Sequence, residues 1–404
     1  MGLFLSREGL GVGLFLLLVI VPCLAFSQKK ELSQARTYIK SGKDFDKAER
    51  LMTDLLKKDS VSRSNKKVYE IWFESVQKQY EAANERLYLK QKQDTAAFFE
   101  LTQRMFTVAE TLDSLDKQPD KKGRTSLEYR DRHAKLLDGY RSNLYNGGNF
   151  FVKKGDYKKA YSFFEDYLGC AQHPLYASLR YDSTDTRLPE AAYWATYCGY
   201  KQHDPVLTLR YKSLALNDSA KASFTLMYIS EARWWMKDNE LYQQRLEEGF
   251  RRFPQFHYFF PRLIDFYNKT GHPEKAMLAA DSALAVNDSN KLFLLVKGTM
   301  SLRMERWADC IKYSERLIQL NDTLPEPYFN AGTAYLNLAE KLDARKEKKL
   351  RKAAFVNAQQ FMEKYRLLAP NEKEKWAPAL YRIYLNLNLG RQFDEIDHLL
   401  HNYN

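Results

Sequence analysis

The chain reads as an all-α array of stacked helical hairpins, and three observations on its 404 residues predict this. Thr208, Tyr242, Ala276 and Cys310 follow one another at intervals of 34 residues. That is the period of a helix–turn–helix unit that cannot bury its apolar face alone and must stack on its neighbours. The residues around these positions combine helical packing stripes with turn signals. Gly and Pro are scarce, 17 and 12, and no long Gly/Ser- or Pro-rich linker interrupts the array. A repeat array grows by adding units rather than by enlarging one core. Such arrays usually work through a long surface, so a partner-binding groove is sought before a catalytic cleft.

Taken in order, the first unit is Ile39, Lys43-Asp44-Phe45, Ala48 and Leu55. Residues 61–125 are helical in pattern without a clear repeat motif. Gly148, Phe151, Gly155-Asp156-Tyr157, Ala160 and Phe164 then give the glycine–aromatic–turn–alanine–aromatic order intact. Around Ala276, the residues Leu263, Ile264 and Tyr267 lie on one helical face, and Gly271-His272-Pro273 breaks the helix. Ala276, Ala280, Ala283 and Leu284 form the stripe of a second helix, and Asn287-Asp288-Ser289 ends the unit. Small residues in that stripe let two helices approach closely. Gly298, Ser301, Trp307, Cys310 and Leu317-Ile318 repeat the scheme. Ala331-Gly332, Tyr335, Ala358, Tyr365 and Pro370 follow, but Ala358 comes 48 residues after Cys310, which predicts about one inserted helical segment. The last unit runs Trp376, Leu380, Tyr384, Gly390, Phe393 and Ile396.

This order of residues resembles the tetratricopeptide-repeat (TPR) family, whose unit is a pair of antiparallel helices. The resemblance covers most of the chain after residue 27. It implies a TPR-type α-solenoid, a right-handed superhelix of antiparallel helix pairs. On this reading residues 28–125 form an N-terminal TPR-like helical region. Residues 126–404 form a TPR array with a helical insertion near 339–352. The polar stretches Lys117–Thr125 and Gln172–Leu188 are expected to be inter-repeat loops, the second elaborated.

The formal charge is +12, which would suit nucleic acid, an anionic membrane surface or an acidic partner. Much of it comes from Lys341, Arg345, Lys346, Lys348, Lys349, Arg351 and Lys352. The segment is read either as a solvated helical extension held by Glu340 and Glu347, or as a strip contacting an anionic membrane. No nucleic-acid-binding motif accompanies it, so nucleic acid is not expected.

Residues 1–27 resemble an export signal. Arg7 precedes the apolar run Leu10–Leu24, and Ala25-Phe26-Ser27 places small residues for cleavage between Ser27 and Gln28. The run is short of the about 18–20 residues that span a bilayer, and Pro22 disfavours its continuation as an anchor. Cys23 follows Pro22 rather than a small residue, against a lipoprotein reading. Cys170, Cys198 and Cys310 are an odd, widely spaced set and read as buried thiols rather than a disulfide framework.

Asp followed by Ser or Thr, and then a small or aliphatic residue, recurs at Ser60, Thr95, Ser114, Ser183, Ser219, Ser282 and Thr323. Random placement would give about one such case. Turn and N-cap chemistry accounts for Asp218 and Asp322, whereas Asp281-Ser282 falls within a helix. The set resembles the O-glycosylation sequon of Bacteroidota, and with the leader it implies an exported TPR protein of that phylum, periplasmic or outer-membrane-associated.

Catalytic spacings are lacking: there is no phosphate-binding glycine loop, nucleophile elbow or zinc-protease helix. His398 and His401 share a helical face without a third ligand at metal-binding spacing. No enzyme activity, cofactor or metal is expected.

In a TPR unit the first helix packs one face on its partner and turns another to the concave side. Ala195, Thr196 and Gly199 take the packing role in one unit, leaving Tyr193, Tyr197 and Tyr200, with Lys201 beside them. In the next, Met227, Glu231 and Trp234 are left, with Trp235 adjacent. Later units leave Asp265, Asn268 and Lys269, then Thr299, Leu302 and Arg303, then Thr333, Leu336 and Asn337. Tyr and Trp beside charged groups suit an extended peptide or a glycan. The expected function is a periplasmic scaffold or assembly factor that binds an envelope protein or peptide. The alternatives are a glycan-binding protein of an outer-membrane uptake system, or an adaptor on an anionic membrane.

Overall fold

A computed structural model of the protein describes residues 28–58, 60–119 and 123–401. The leader with Ser27, Asp59 of the first Asp-Ser motif, and residues 120–122 of the first polar stretch lie outside the described residues, as do 402–404. Among the described residues every regular element is helical, and no helix is long and apolar enough to cross a membrane. They fall into two compact units, one ending at Asp238 and the other beginning at Asn239.

The first unit contains α1 (28–41), α2 (Phe45–Lys58), α3 (Lys66–Tyr88), α4 (Thr95–Asp116), α5 (Arg130–Asp138) and α6 (Ser142–Lys154). It continues with α7 (Tyr157–Gly169), α8 (Tyr181–Thr184), α9 (Leu188–Lys201), α10 (Pro205–Arg210), α11 (Lys212–Ala215) and α12 (Ala222–Trp235). The second holds α13 (Asn239–Arg252), α14 (Phe259–Lys269), α15 (Pro273–Val286), α16 (Lys291–Arg303) and α17 (Trp307–Leu320). Then come α18 (Pro325–Lys341), α19 (Lys348–Leu368), α20 (Lys373–Leu387) and α21 (Gly390–His401). From α13 to α21 each helix packs on the next. Connections of a few residues make those neighbours antiparallel.

Local chemistry sets the hairpins. Gly155 ends α6 in the left-handed region at φ 75°, where a side chain would be strained. The Asp156 carboxylate then accepts from the Lys159 N–H at 3.0 Å to start α7. Pro273 opens α15 at a position that needs no N–H donor. The Asn290 side chain accepts from Leu292 and Phe293 N–H to start α16. The 34-residue interval has a direct meaning in the packing: Thr208, Ala276 and Cys310 are fully buried, and Tyr242 is nearly so. Ala276, Ala280 and Ala283 are likewise sealed. The three described cysteines are free and buried.

Two segments take a form that spacing alone did not describe. The extra residues after Cys310 are not a separate added helix. They lengthen one hairpin, since α18 and α19 run 17 and 21 residues where α15 and α17 run 14. The loop after α7 is structured, with a 3-10 turn at Pro174–Leu179 followed by α8. Buried Arg141 holds it, as its guanidinium lies between the Tyr167 and Tyr181 rings, 3.8 and 3.9 Å from their centroids.

Candidate functional site

The free side of α9 and α12 carries a contiguous aromatic row. Tyr197 meets Tyr157, Trp194 and Tyr228 at centroid distances of 5.8, 5.7 and 5.7 Å. Tyr200 lies 4.6 Å from Tyr228 and stacks on Trp235 at 5.6 Å, and His203 closes the end at 5.0 Å from Trp235. Helical spacing places Tyr193, Tyr197 and Tyr200 on one face of α9. What α12 brings up to them is Tyr228. Its phenol and that of Tyr197 are pushed up, first by burial and then by neighbouring tyrosine hydroxyls, so these two stay protonated at neutral pH.

The predicted residues do not all occupy equivalent places. Tyr193 is 8% exposed and its hydroxyl lies 3.5 Å from that of Tyr228. It supports the row from inside rather than offering a contact face, which corrects its assignment as a groove residue. Tyr197, Tyr200, Glu231 and Trp235 are half-buried, and Lys201 is exposed with its ammonium 5.4 Å over the Tyr157 ring. Trp234 is 48% exposed. Tyr157, Trp194, Tyr228 and His203 complete the row, and sequence reading did not assign them to it. The available signal was Tyr228 one residue after Met227, on the flank already considered. Lys221, bonded to Glu190 at 2.9 Å, spans the Tyr193 and Trp194 rings.

In the second unit the predicted face is polar and open. Asp265 and Lys269 pair at 2.7 Å on the surface of α14, Asn268 is half-buried beside them, and Arg303 is exposed at the end of α16. Asn337 is half-buried on α18, but Leu336 is 1% exposed and packs in the core with Met362 and Tyr365, so it leaves the predicted free side. Thr299 accepts from Asn330 at 3.0 Å and is a packing contact. Among the described residues no group of three His, Cys, Asp or Glu is placed to hold a metal.

A recess in the first unit, of about 350 Å³, is lined by Glu110, Glu165, Asp166, His173, Arg210 and Tyr211. Glu110 accepts from the Tyr176 hydroxyl at 3.2 Å, and Asp166 from the Gln103 amide at 2.6 Å. Burial, with the neighbouring Asp166 adding to it, pushes Glu110 up to about 7 from 4.5. Burial pushes Asp166 up to about 6 from 3.8. A raised folded pKa contributes stability that is complete below the unfolded value and is lost as pH rises through the folded one. For Glu110 that window runs from 4.5 to about 7. Buried His133, its ring tilted against that of Phe73 at 4.3 Å, is pushed down to about 4 and acts in the opposite sense, losing stability as pH falls from 6.5. The wild-type profile alone therefore does not isolate either group. Glu110→Gln should match wild type near pH 4.5 and exceed it by up to about 3 kcal/mol at pH 8. Chemical denaturation across that range checks it, and a constant difference between the two proteins would disprove the shift.

The buried interval positions and the order of hairpins define an all-α protein of TPR-type solenoid architecture. No family model matches the chain, and no curated protein matches it. Among solved structures it is similar to PilF of Pseudomonas aeruginosa at 15% identity, covering 58% of this chain and 94% of that one, with a TM-score of 0.33. It is similar to a TPR repeats protein of Bacteroides fragilis at 18% identity, covering 64% and 98%, with a TM-score of 0.31. The TPR domain of P58(IPK) is similar at 12% identity, covering 93% and 98%, with a TM-score of 0.26.

Proposed function

We propose that the protein is a non-enzymatic interaction scaffold or assembly factor of the cell envelope that binds a protein or peptide segment along the first helices of its hairpins. The observation that carries this reading is the aromatic row of α9 and α12, with Lys201 exposed over the Tyr157 ring and Trp234 exposed on α12. Such rings give large contact area with hydroxyl and indole N–H groups at hand for backbone hydrogen bonds. The same chemistry suits a sugar ring, so competition by oligosaccharide would favour a glycan over a peptide.

Trp234 is the residue to test. Tyr197 touches three other rings, so its removal would disturb the packing it shares. A photoreactive residue introduced at Lys201 is expected to cross-link a discrete envelope protein. Trp234→Ala should remove that adduct while the circular dichroism spectrum stays helical. Equal adduct yield with and without Trp234 would refute the site.

Export to the periplasm is the reading that the leader through Ser27 and Gln28 supports. The seven hydroxyl residues of the Asp-Ser/Thr set are all exposed: Ser60, Thr95, Ser114, Ser183, Ser219, Ser282 and Thr323. They are not equally open to an enzyme. The Ser114 and Ser282 hydroxyls bond back within their helices to Glu110 and Leu278 carbonyls, and Asp113 is buried against Arg130. Thr323 and Ser219 lie outside regular helix and are the favoured acceptors. An intact mass equal to the bare chain from Gln28 would sink the glycosylation reading.

A further inference from the structure

We propose that the tip of the α18–α19 hairpin docks the protein on an anionic lipid surface. Residues 341–352 hold seven basic side chains against only Asp343 and Glu347. Both acids are engaged in shaping the turn. Asp343 accepts from the backbone N–H of Arg345 and Lys346 at 2.8 and 2.7 Å, and Glu347 from the N–H of Asp343 at 2.9 Å. Two of the basic residues anchor the base of the tip. Lys341 lies 4.0 Å from Glu305 and over the Trp307 ring, and Arg351 bonds the Ala339 carbonyl and Asn386. The other five, Arg345, Lys346, Lys348, Lys349 and Lys352, are exposed, and among the described residues no carboxylate pairs with them.

Three features go beyond a solvated charge run. The first turn of α19 contains no acid beyond the N-cap Glu347, whose carboxylate is taken up by the Asp343 N–H, and cations there oppose the helix dipole and weaken the helix. An anionic surface would reverse that penalty. The tip also lies on a hairpin longer than its neighbours, and the hydrogen bonds of Asp343 and Glu347 stay within the turn, so residues 343–350 are presented rather than packed. Finally, Leu350 is 63% exposed among the lysines. A soluble polyanion would pair with the charges and leave Leu350 in water. A lipid interface takes both, with basic groups at the headgroups and the leucine at the acyl boundary.

The test uses the full chain and vesicles of phosphatidylcholine alone or with about one third phosphatidylglycerol. The apolar run Leu10–Leu24 would bind both kinds alike, so the difference between them isolates the tip. Partitioning should be at least roughly tenfold stronger on the anionic vesicles, at about five-fold per basic group near a strongly charged surface. It should fall steeply from about 0.1 M to about 1 M salt as the screening length drops from about 10 Å to about 3 Å. The combined Arg345→Gln, Lys346→Gln, Lys348→Gln, Lys349→Gln variant should lose the preference and keep its circular dichroism melt. Leu350→Ser alone should weaken anionic binding about fivefold. Equal partitioning on the two vesicles, or an unaltered quadruple variant, would overturn the proposal. So would displacement by inorganic phosphate at matched ionic strength, which marks a discrete anion site. An unchanged Leu350→Ser would overturn it in favour of a soluble polyanion.

Discussion

Gly199→Ala is expected to destabilise the first unit by about 3 kcal/mol, at the upper end of what overpacking costs. A Cβ on Gly199 would lie 2.4 Å from the Thr208 backbone nitrogen and 2.7 Å from the Leu207 carbonyl carbon. Both are main chain, so no rotamer change relieves the contact and α9 must move off α10. Because Tyr197 and Tyr200 flank this glycine on α9, the shift would also disturb the aromatic row. Gly298→Ala is the control. Its Cβ would meet the Ser314 hydroxyl at 3.2 Å, a side-chain atom able to give way. The gain of about 1 kcal/mol from replacing a helical glycine should offset that contact. Urea unfolding of both variants measures the contrast. Equal stabilities would mean that α9 and α10 are not held at the distance described.

Arg141→Ala should be as damaging, costing about 3–5 kcal/mol, because it leaves a partner charge without its counterion. The guanidinium donates to Asp185 at 2.7 Å and to the Tyr167 carbonyl at 3.1 Å while lying between two tyrosine rings. Those rings are themselves tied down: Tyr167 donates to Asp185 at 2.7 Å and Tyr181 to Asp138 at 2.6 Å. Removing the cation opens a gap between the rings and frees the segment from residue 170 to 187. Trypsin should then cut at Arg180, which is exposed and held at φ 51°, well before the rest of the unit. Arg141→Lys should rescue only in part, since an ammonium cannot sit flat between two rings and bond a carboxylate and a carbonyl together. Unchanged protection at Arg180 in Arg141→Ala would show that the clamp does not hold the loop.

Position in the chain was enough to locate the hairpins because a helix repeats its face every 3.6 residues and its ends need particular side chains. Ala276, Ala280 and Ala283 could be read as a close-packed stripe, and Gly155-Asp156, Gly271-Pro273 and Asn287-Ser289 as ends, without any knowledge of neighbours. The same spacing puts Tyr197 and Tyr200 on one face of α9, and in the structure both rings lie against Tyr228. It could not separate buried Tyr193 from its half-buried neighbours, nor keep Leu336 out of the predicted face. Which side chains are covered depends on how far the next helix leans over them, and that is decided by residues such as Tyr228, Met362 and Tyr365 arriving from other helices.

Local periodicity and capping suffice to read the all-α hairpin repeat, its turns, and the interval positions Thr208, Tyr242, Ala276 and Cys310 from the residues alone. Packing in three dimensions sets the division at Asp238 and Asn239, the clamp of Arg141 between Tyr167 and Tyr181, the recess around Glu110 and the extent of the aromatic row. Those features are made by contacts between residues far apart in the chain, and their energies depend on distance and burial that no interval in the sequence encodes.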